Sequence, residues 1–274
     1  MDLNTITEVA HPQSREQLPV WTAGDAWLAG GTWLFSEPQI RLTRLIDLTD
    51  LKWPALTITE TSLQIAATCT VAQLDALACP PDWIAAPLID QCCRAFLASF
   101  KIWKTATVGG NLCMSLPAGP MIALTAALDG ICTIWKADGS ERRLHVADFV
   151  TGNQRNVLSP GDLLRQIELP IAALKRRCGF RQISLTPVGR SAALLIGALK
   201  DEGFLLTVTA STIRPVQLSF PGMPRATELH DAIIQRIPDA LYHDDIHGKP
   251  VWRKHMTLRL AEEIRAELHN MNRP

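Results

Sequence analysis

Excess charge of either sign is missing. The 27 Lys and Arg residues balance 27 Asp and Glu, the formal net charge is +0, and the pI is about 7.0. A protein that neutralises phosphates needs clustered cations, so this balance argues against a nucleic-acid binder working through a basic field. A membrane span is also missing. The longest apolar stretch, Ala192 to Leu199, falls far short of the ~18 residues that cross a bilayer. The start, Met1-Asp2-Leu3-Asn4, has no basic segment followed by an apolar one, so secretion is not expected. No Cys-x-x-Cys pair occurs among the cysteines at 69, 79, 92, 93, 113, 132 and 178. The adjacent Cys92 and Cys93 suit neither an ordinary disulfide nor a metal knuckle. All seven read as reduced thiols of a cytoplasmic protein, mostly in its core, and none falls in a familiar iron–sulfur spacing. Neither the dinucleotide-binding G-x-G-x-x-G nor the P-loop nor the G-x-S-x-G hydrolase elbow is present. Repeats and low-complexity segments are absent as well.

What is present is a globular composition, 47% apolar and 20% charged. A chain of 274 residues can bury roughly 75% of its unfolded surface, in one large or two modest domains. The patterning alternates short strands with helices. Trp27-Leu28-Ala29 reads as a strand entering a Gly30-Gly31 turn, and Arg44 to Leu48 and Leu63 to Thr70 read as further strands. Val71 to Leu77 and Pro87 to Ser99 carry helical spacing, and Pro120 to Leu128 reads as a short buried helix. Ile131 to Trp135, the turn Asp138-Gly139 and Arg143 to Val146 read as a hairpin, followed by a strand from Asp162 to Leu169. Lys175-Arg176-Arg177 reads as a solvated charge run and a boundary. Beyond it lie a second hairpin, Ser191 to Leu199 and Phe204 to Ile213 around Lys200-Asp201-Glu202-Gly203, and a terminal helix. On that helix Trp252, Met256, Leu260, Ile264 and Leu268 recur every fourth residue. The expected class is α+β, with a smaller C-terminal domain.

Two glycine doublets carry the most chemistry. Gly30-Gly31 lies in Ala29-Gly30-Gly31-Thr32-Trp33-Leu34, and Gly109-Gly110 in Thr107-Val108-Gly109-Gly110-Asn111. The two lie 79 residues apart. Glycine permits positive φ and close backbone approach, so successive N–H groups can converge on an anion, with Thr and Asn adding side-chain donors. Brought together, the loops would clamp a diphosphate without a positive side chain. Taken singly, each is equally readable as a tight turn.

In order, these segments, Ile65-Ala66-Ala67-Thr68-Cys69-Thr70, Ser159-Pro160-Gly161-Asp162-Leu163-Leu164 and Ile167-Glu168-Leu169-Pro170 resemble the FAD-binding medium subunits of molybdenum hydroxylases, of the xanthine dehydrogenase and carbon monoxide dehydrogenase type. The resemblance runs from about residue 20 to the C-terminal helix. It implies an FAD-binding domain of the vanillyl-alcohol-oxidase type over residues 1–175, in two subdomains divided near residue 55. A small α+β C-terminal domain with an antiparallel sheet would follow over 176–274. It implies that Ala29, Gly30, Gly31, Thr32, Trp33 and Leu34 wrap the pyrophosphate, and that Thr107, Gly109, Gly110 and Asn111 close on the diphosphate and ribityl chain. Leu164 would cover the flavin or adenine, and Arg181 would approach the isoalloxazine. FAD would be non-covalent. Molybdopterin and [2Fe–2S] clusters would sit on a large and a small partner subunit, and an acceptor such as NAD or a quinone would take the electrons. The chain departs from the family where Gly119-Pro120 replaces a Ser-Asp pair that holds a ribose hydroxyl, where Trp103-Lys104 replaces Arg-Asn, and at the bulky Trp33.

Other constellations are weaker. His243 and His247 have the i, i+4 spacing of helical zinc ligands, but read more simply as a solvated turn before Gly248-Lys249-Pro250. The eight tryptophans are scattered without interleaved cations and read as packing. No acid–base dyad or metal site is recognisable. The expected function is an FAD-binding electron relay. The alternatives are a stand-alone flavin oxidase, and a scaffold subunit that has lost FAD.

Overall fold

The computed structural model describes residues 3–201 and 203–271. Met1 and Asp2 of the expected non-secretory start, and Glu202 of the expected turn, lie outside the described residues. Three larger sheets follow one another along the chain, beside a two-stranded ribbon of Val150–Gly152 and Arg155–Asn156. The first has three parallel strands, with Arg44–Asp47 between Glu8–Ala10 and Asp25–Leu28. Parallel neighbours cannot be joined by a tight hairpin. The chain therefore leaves Leu28 at the carboxyl edge and returns at Arg44 through a long irregular segment, and that segment carries the first glycine doublet. Arg44 pins the sheet by donating to both carboxylate oxygens of Asp25, at 2.9 and 2.6 Å. The parallel pairing is not apparent from sequence, because the strands have only three or four residues each.

The second sheet is antiparallel, in the order Leu56–Ile58, Ser62–Ala66, Leu163–Pro170, Ile131–Trp135 and Glu141–His145. Its hairpin turns at Gly139, whose φ is +86°, as the Asp-Gly pair predicts. The strand expected to continue to Thr70 stops at Ala66. Thr70 instead caps the helix Val71–Asp75 in a reciprocal capping box with Gln73, a device typically worth about 1 kcal/mol. The helix Pro120–Ala127 has every residue buried. Met121-Ile122-Ala123-Leu124 leaves it no polar face, which is the pattern of a helix packed on all sides.

The third sheet is an antiparallel meander of Cys178–Ile183, Ala193–Lys200, Gly203–Thr209 and Val216–Phe220. Its inner strands are packed by Pro120–Ala127 and by the C-terminal helix Pro250–Met271. Met256, Leu260, Ile264 and Leu268 are the buried stripe of that helix. Helix Ala226–Arg236 and the outer strands of this sheet carry no strong periodicity in the sequence.

The basic run differs from its reading as a solvated boundary. Arg176 is largely covered and donates to Asp129 at 2.7 Å, with Lys200 reaching the same carboxylate at 3.4 Å. Lys175 pairs with Asp82 at 2.8 Å, so the run ties segments together. One apolar cluster extends from Leu63 to Ala210 and takes in Leu194 and Ile196 of the third sheet, so the sheets share packing across residue 175. Among the described residues no helix is long and apolar enough to cross a membrane.

Candidate functional site

Directly after Leu28 the backbone turns through Gly30 and Gly31. Any Cβ at Gly30 would overlap the Thr105 carbonyl oxygen and sit 2.8 Å from its carbon. The first loop is thus pressed onto the chain just before the second motif. Gly31 has φ +65°, a left-handed conformation that glycine adopts without strain. The Phe35 N–H donates to the Gly31 carbonyl at 2.8 Å and closes the turn. The N–H groups of Gly30, Gly31, Thr32, Trp33 and Leu34 have no acceptor among the described residues. Unpaired backbone donors require water or a ligand, so the loop offers a run of them.

The second motif is built differently from its reading as a donor loop. It opens a helix, Val108–Met114, and its first N–H groups are already used. Val108 donates to Cys69 O at 2.8 Å, Gly109 to Ala67 O at 3.0 Å and Asn111 to Thr107 O at 3.0 Å. Gly110 donates to the capping Thr107 hydroxyl at 2.9 Å. Neither glycine has positive φ; Gly109 is required by contact, since a Cβ there would meet Ala67 Cβ at 2.5 Å and its carbonyl oxygen at 2.6 Å. The motif therefore contributes side chains and a smooth wall. The Asn111 Oδ1 accepts from Met121 N–H at 3.2 Å, which leaves the amide nitrogen as a donor. The Thr107 hydroxyl keeps its hydrogen to donate.

Both motifs line one cleft of about 620 Å³. Ala29, Gly30, Gly31, Thr32, Trp33, Leu34, Thr107, Gly110 and Asn111 all border it. Gly109 backs the wall against Ala67. Leu164 and Arg181 do not border the cleft. Leu164 is 2% exposed inside strand Leu163–Pro170, because the alternation of that strand turns it into the core. Arg181 lies on the third sheet, where Glu263 at 3.2 Å and Glu267 at 2.7 Å hold its guanidinium. Those partners lie more than eighty residues away, which no local pattern reveals. The cation at the cleft is Arg190, which the sequence reading missed. It is the one charged side chain among the described residues lining the cleft, and it has no partner among the described residues. Its signal was modest: a Pro- and Gly-bearing loop, Thr186-Pro187-Val188-Gly189, ahead of a strand.

The rest of the wall is apolar, with Phe96, Leu97, Ile102, Met114 and Cys113. Burial pushes the Cys113 thiol up to about 12, so it is protonated at neutral pH. Gly119 and Pro120 also border the cleft; a Cβ at Gly119 would sit 2.8 Å from Ile122 Cδ1 and 2.9 Å from Asn111 Oδ1. No carboxylate stands at this wall among the described residues. His243 and His247 are not on a helix; His243 Nε2 faces Asp245 at 3.3 Å, and no group of three or more potential metal ligands forms among the described residues.

Residues 6–172, which contain both loops and all the residues lining the cleft except Val188 and Arg190, match the model of the FAD binding domain in molybdopterin dehydrogenase. The chain belongs to that family. The chain is thus an oxidoreductase component of α+β fold that carries the FAD binding domain of this family. It is similar to the caffeine dehydrogenase subunit beta of Pseudomonas sp. (strain CBB1), 30% identical over 105 residues, which is 37% of this chain and 36% of that subunit. The matched segment thus spans about a third of that relative's length. Solved structures extend the likeness of fold over nearly the whole chain. Quinoline 2-oxidoreductase from Pseudomonas putida 86 superposes with a TM-score of 0.77 at 18% identity, covering 97% of this chain and 98% of that one. Reconstituted CO dehydrogenase from Oligotropha carboxidovorans gives a TM-score of 0.77 at 19% identity, covering 95% and 98%. CO dehydrogenase from Hydrogenophaga pseudoflava gives 0.76 at 15%, covering 94% and 96%.

Proposed function

We propose that this FAD-binding subunit holds its cofactor non-covalently in the cleft and relays electrons. They would come from iron–sulfur clusters on a small partner chain, fed by molybdopterin on a large one, and leave to an acceptor such as NAD or a quinone. The observation that supports this most is the convergence of two glycine motifs, 79 residues apart in sequence, on one cleft with a run of unpaired N–H groups.

The residues present fit the cofactor. The free donors of Gly30 to Leu34 suit a diphosphate, with the Asn111 amide and the Thr107 hydroxyl as further donors. The apolar wall of Phe96, Ile102 and Met114 suits an aromatic ring system, and Arg190 supplies positive charge that favours electron-rich states of a bound ring. FAD, when bound, supplies one- and two-electron redox chemistry; the chain positions it and shields it from water. Cys113 is kept neutral by burial and is no nucleophile towards the ring. The cleft presents no Asp, Glu or His among its described lining residues, so it lacks a general base for oxidising an organic substrate directly. This favours the relay over a stand-alone oxidase. The named relatives support the partner chains: one is a dehydrogenase subunit, and the CO dehydrogenases include a Cu,Mo enzyme. Seven free cysteines agree with a cytoplasmic location.

A scaffold that no longer binds FAD is the second reading. It is favoured by Gly119-Pro120, which leaves the cleft wall without a carboxylate. Titrating the purified full chain with FAD, followed by acid precipitation, separates the two. The relay reading expects one FAD per chain, released into the supernatant by acid. Absence of binding up to millimolar FAD would support the scaffold, and flavin retained on the precipitated chain would overturn the non-covalent assignment. Co-expression with the partner chains should yield a complex in which an organic substrate reduces the flavin.

A further inference from the structure

A second cavity of about 360 Å³ lies against the first, and Trp33, Leu116, Ala118 and Arg190 border both. Its far wall comes from Ser191, just ahead of a strand of the third sheet, from His243 and Asp245 in the segment before the C-terminal helix, and from Arg253 on that helix. Its rim carries Asn153 and Gln154.

The charges there are not equivalent. Arg253 is 1% exposed and has four of its five N–H groups engaged: it donates to Gly248 O at 2.9 Å and to Ala192 O and Ala210 O at 2.6 Å each, and it pairs with Asp245. That pairing neutralises Asp245, which also faces His243 Nε2 and accepts from the His247 N–H at 2.8 Å. Burial lowers the His243 pKa, so its imidazole is uncharged at neutral pH. What remains available is donor-rich. Arg190 keeps a whole guanidinium, and Asn153 and Gln154 keep side-chain amides without partners among the described residues; the neutral His243, whose Nε2–H faces Asp245, offers only an acceptor nitrogen. Glu37, exposed at the rim, is the one unpaired negative charge. At roughly 30 Å³ per water the cavity holds about a dozen waters, the size of a single-ring molecule.

We propose that this cavity is a binding site for a small organic oxyanion, a carboxylate or a phosphate monoester, anchored by Arg190. This rests on the cofactor reading for one consequence: a ligand there touches the same Trp33 and Arg190 that border the FAD cleft. The two ligands are therefore neighbours, and their affinities are linked reciprocally.

The test uses the full chain, with and without FAD, at fixed ionic strength and with chloride as the control anion. The probes are benzoate and inorganic phosphate, read by thermal shift and, when FAD is bound, by the flavin absorption band. The FAD-loaded chain is expected to respond saturably to at least one probe. Arg190→Gln should weaken that probe at least tenfold, Arg190→Lys should retain part of the affinity, and Arg181→Gln, whose guanidinium is already held by Glu263 and Glu267, should leave it unchanged. Benzoate alone marks the site as a carboxylate site, and phosphate alone as a phosphate site. A probe that displaces FAD completely, with an effect that does not saturate, would be sitting at the glycine loop and would overturn the proposal. So would a response that survives Arg190→Gln, or no saturable response to either probe. If the chain binds no FAD yet binds a probe through Arg190, the cofactor reading fails and the oxyanion site stands.

Discussion

Replacing Gly30 by alanine tests how the two motifs form one cleft. The new Cβ would overlap the Thr105 carbonyl oxygen, with the Thr105 carbon at 2.8 Å and Ala106 Cα at 3.3 Å. All three are backbone atoms, so no rotamer change relieves the clash. The loop must move off the second motif by about 1 Å to restore carbon contacts near 3.5 Å. Overpacking of this kind typically costs 1–3 kcal/mol, and about 1 kcal/mol is expected here because the loop lies outside the main apolar clusters. The larger effect falls on the ligand. The displaced N–H groups would lose one or two hydrogen bonds to a charged group, about 2–3 kcal/mol, or roughly 30- to 150-fold in FAD affinity. Gly110→Ala is the control. Its Cβ meets only the Thr107 hydroxyl oxygen, at 2.9 Å, in a helix where alanine is preferred by about 0.8–1.0 kcal/mol. It should lose less than tenfold in affinity and melt no lower. Flavin-fluorescence titration alongside thermal melting measures both. A Gly30→Ala chain that binds FAD within threefold of wild type, or a Gly110→Ala chain that binds more weakly than Gly30→Ala, would refute this account of the cleft.

Cys113 borders the cleft as a protonated thiol, so maleimide should label it slowly, and FAD at ten times its Kd should slow labelling about tenfold, as peptide mass spectrometry would show. Arg253→Met removes one partner from a buried network and should cost about 3–5 kcal/mol in denaturant unfolding, with the midpoint falling accordingly. The Asp25 carboxyl is held below its ordinary value chiefly by the Arg44 hydrogen bonds. A depressed folded pKa adds stability above the unfolded value of about 3.9, and that stability is lost as pH falls through the folded value. Asp25→Asn should therefore lower stability at pH 7, with the difference from wild type narrowing below about pH 4 in acid melts.

Much of the fold was legible where a local signal had one meaning. Asp138-Gly139 after the apolar run Ile131 to Trp135 marks a hairpin turn, and the four-residue recurrence from Trp252 to Leu268 marks a helix. Thr107-Val108-Gly109-Gly110 had two meanings. A threonine followed by glycines suits a donor loop or a capped helix start, and contact with Ala67, forty-two residues earlier, decides for the helix. The two motifs stand out in the sequence as glycine doublets, although only the first keeps its backbone donors free. Arg181, within a strand, and Arg190, in the loop ahead of the next one, were not separable as cleft residues, since no local pattern shows what each guanidinium meets. Only the fold shows that Glu263 and Glu267 occupy the first and leave the second facing the cleft.

The most direct test of the central claim is a crystal structure of the full chain soaked with FAD. The account expects the diphosphate against the N–H groups of Gly30 to Leu34, within hydrogen-bond reach of the Asn111 amide, and the isoalloxazine between the apolar wall and Arg190. Flavin density elsewhere on the chain, or a diphosphate held by other residues while the Gly30–Leu34 donors stay unengaged, would contradict it.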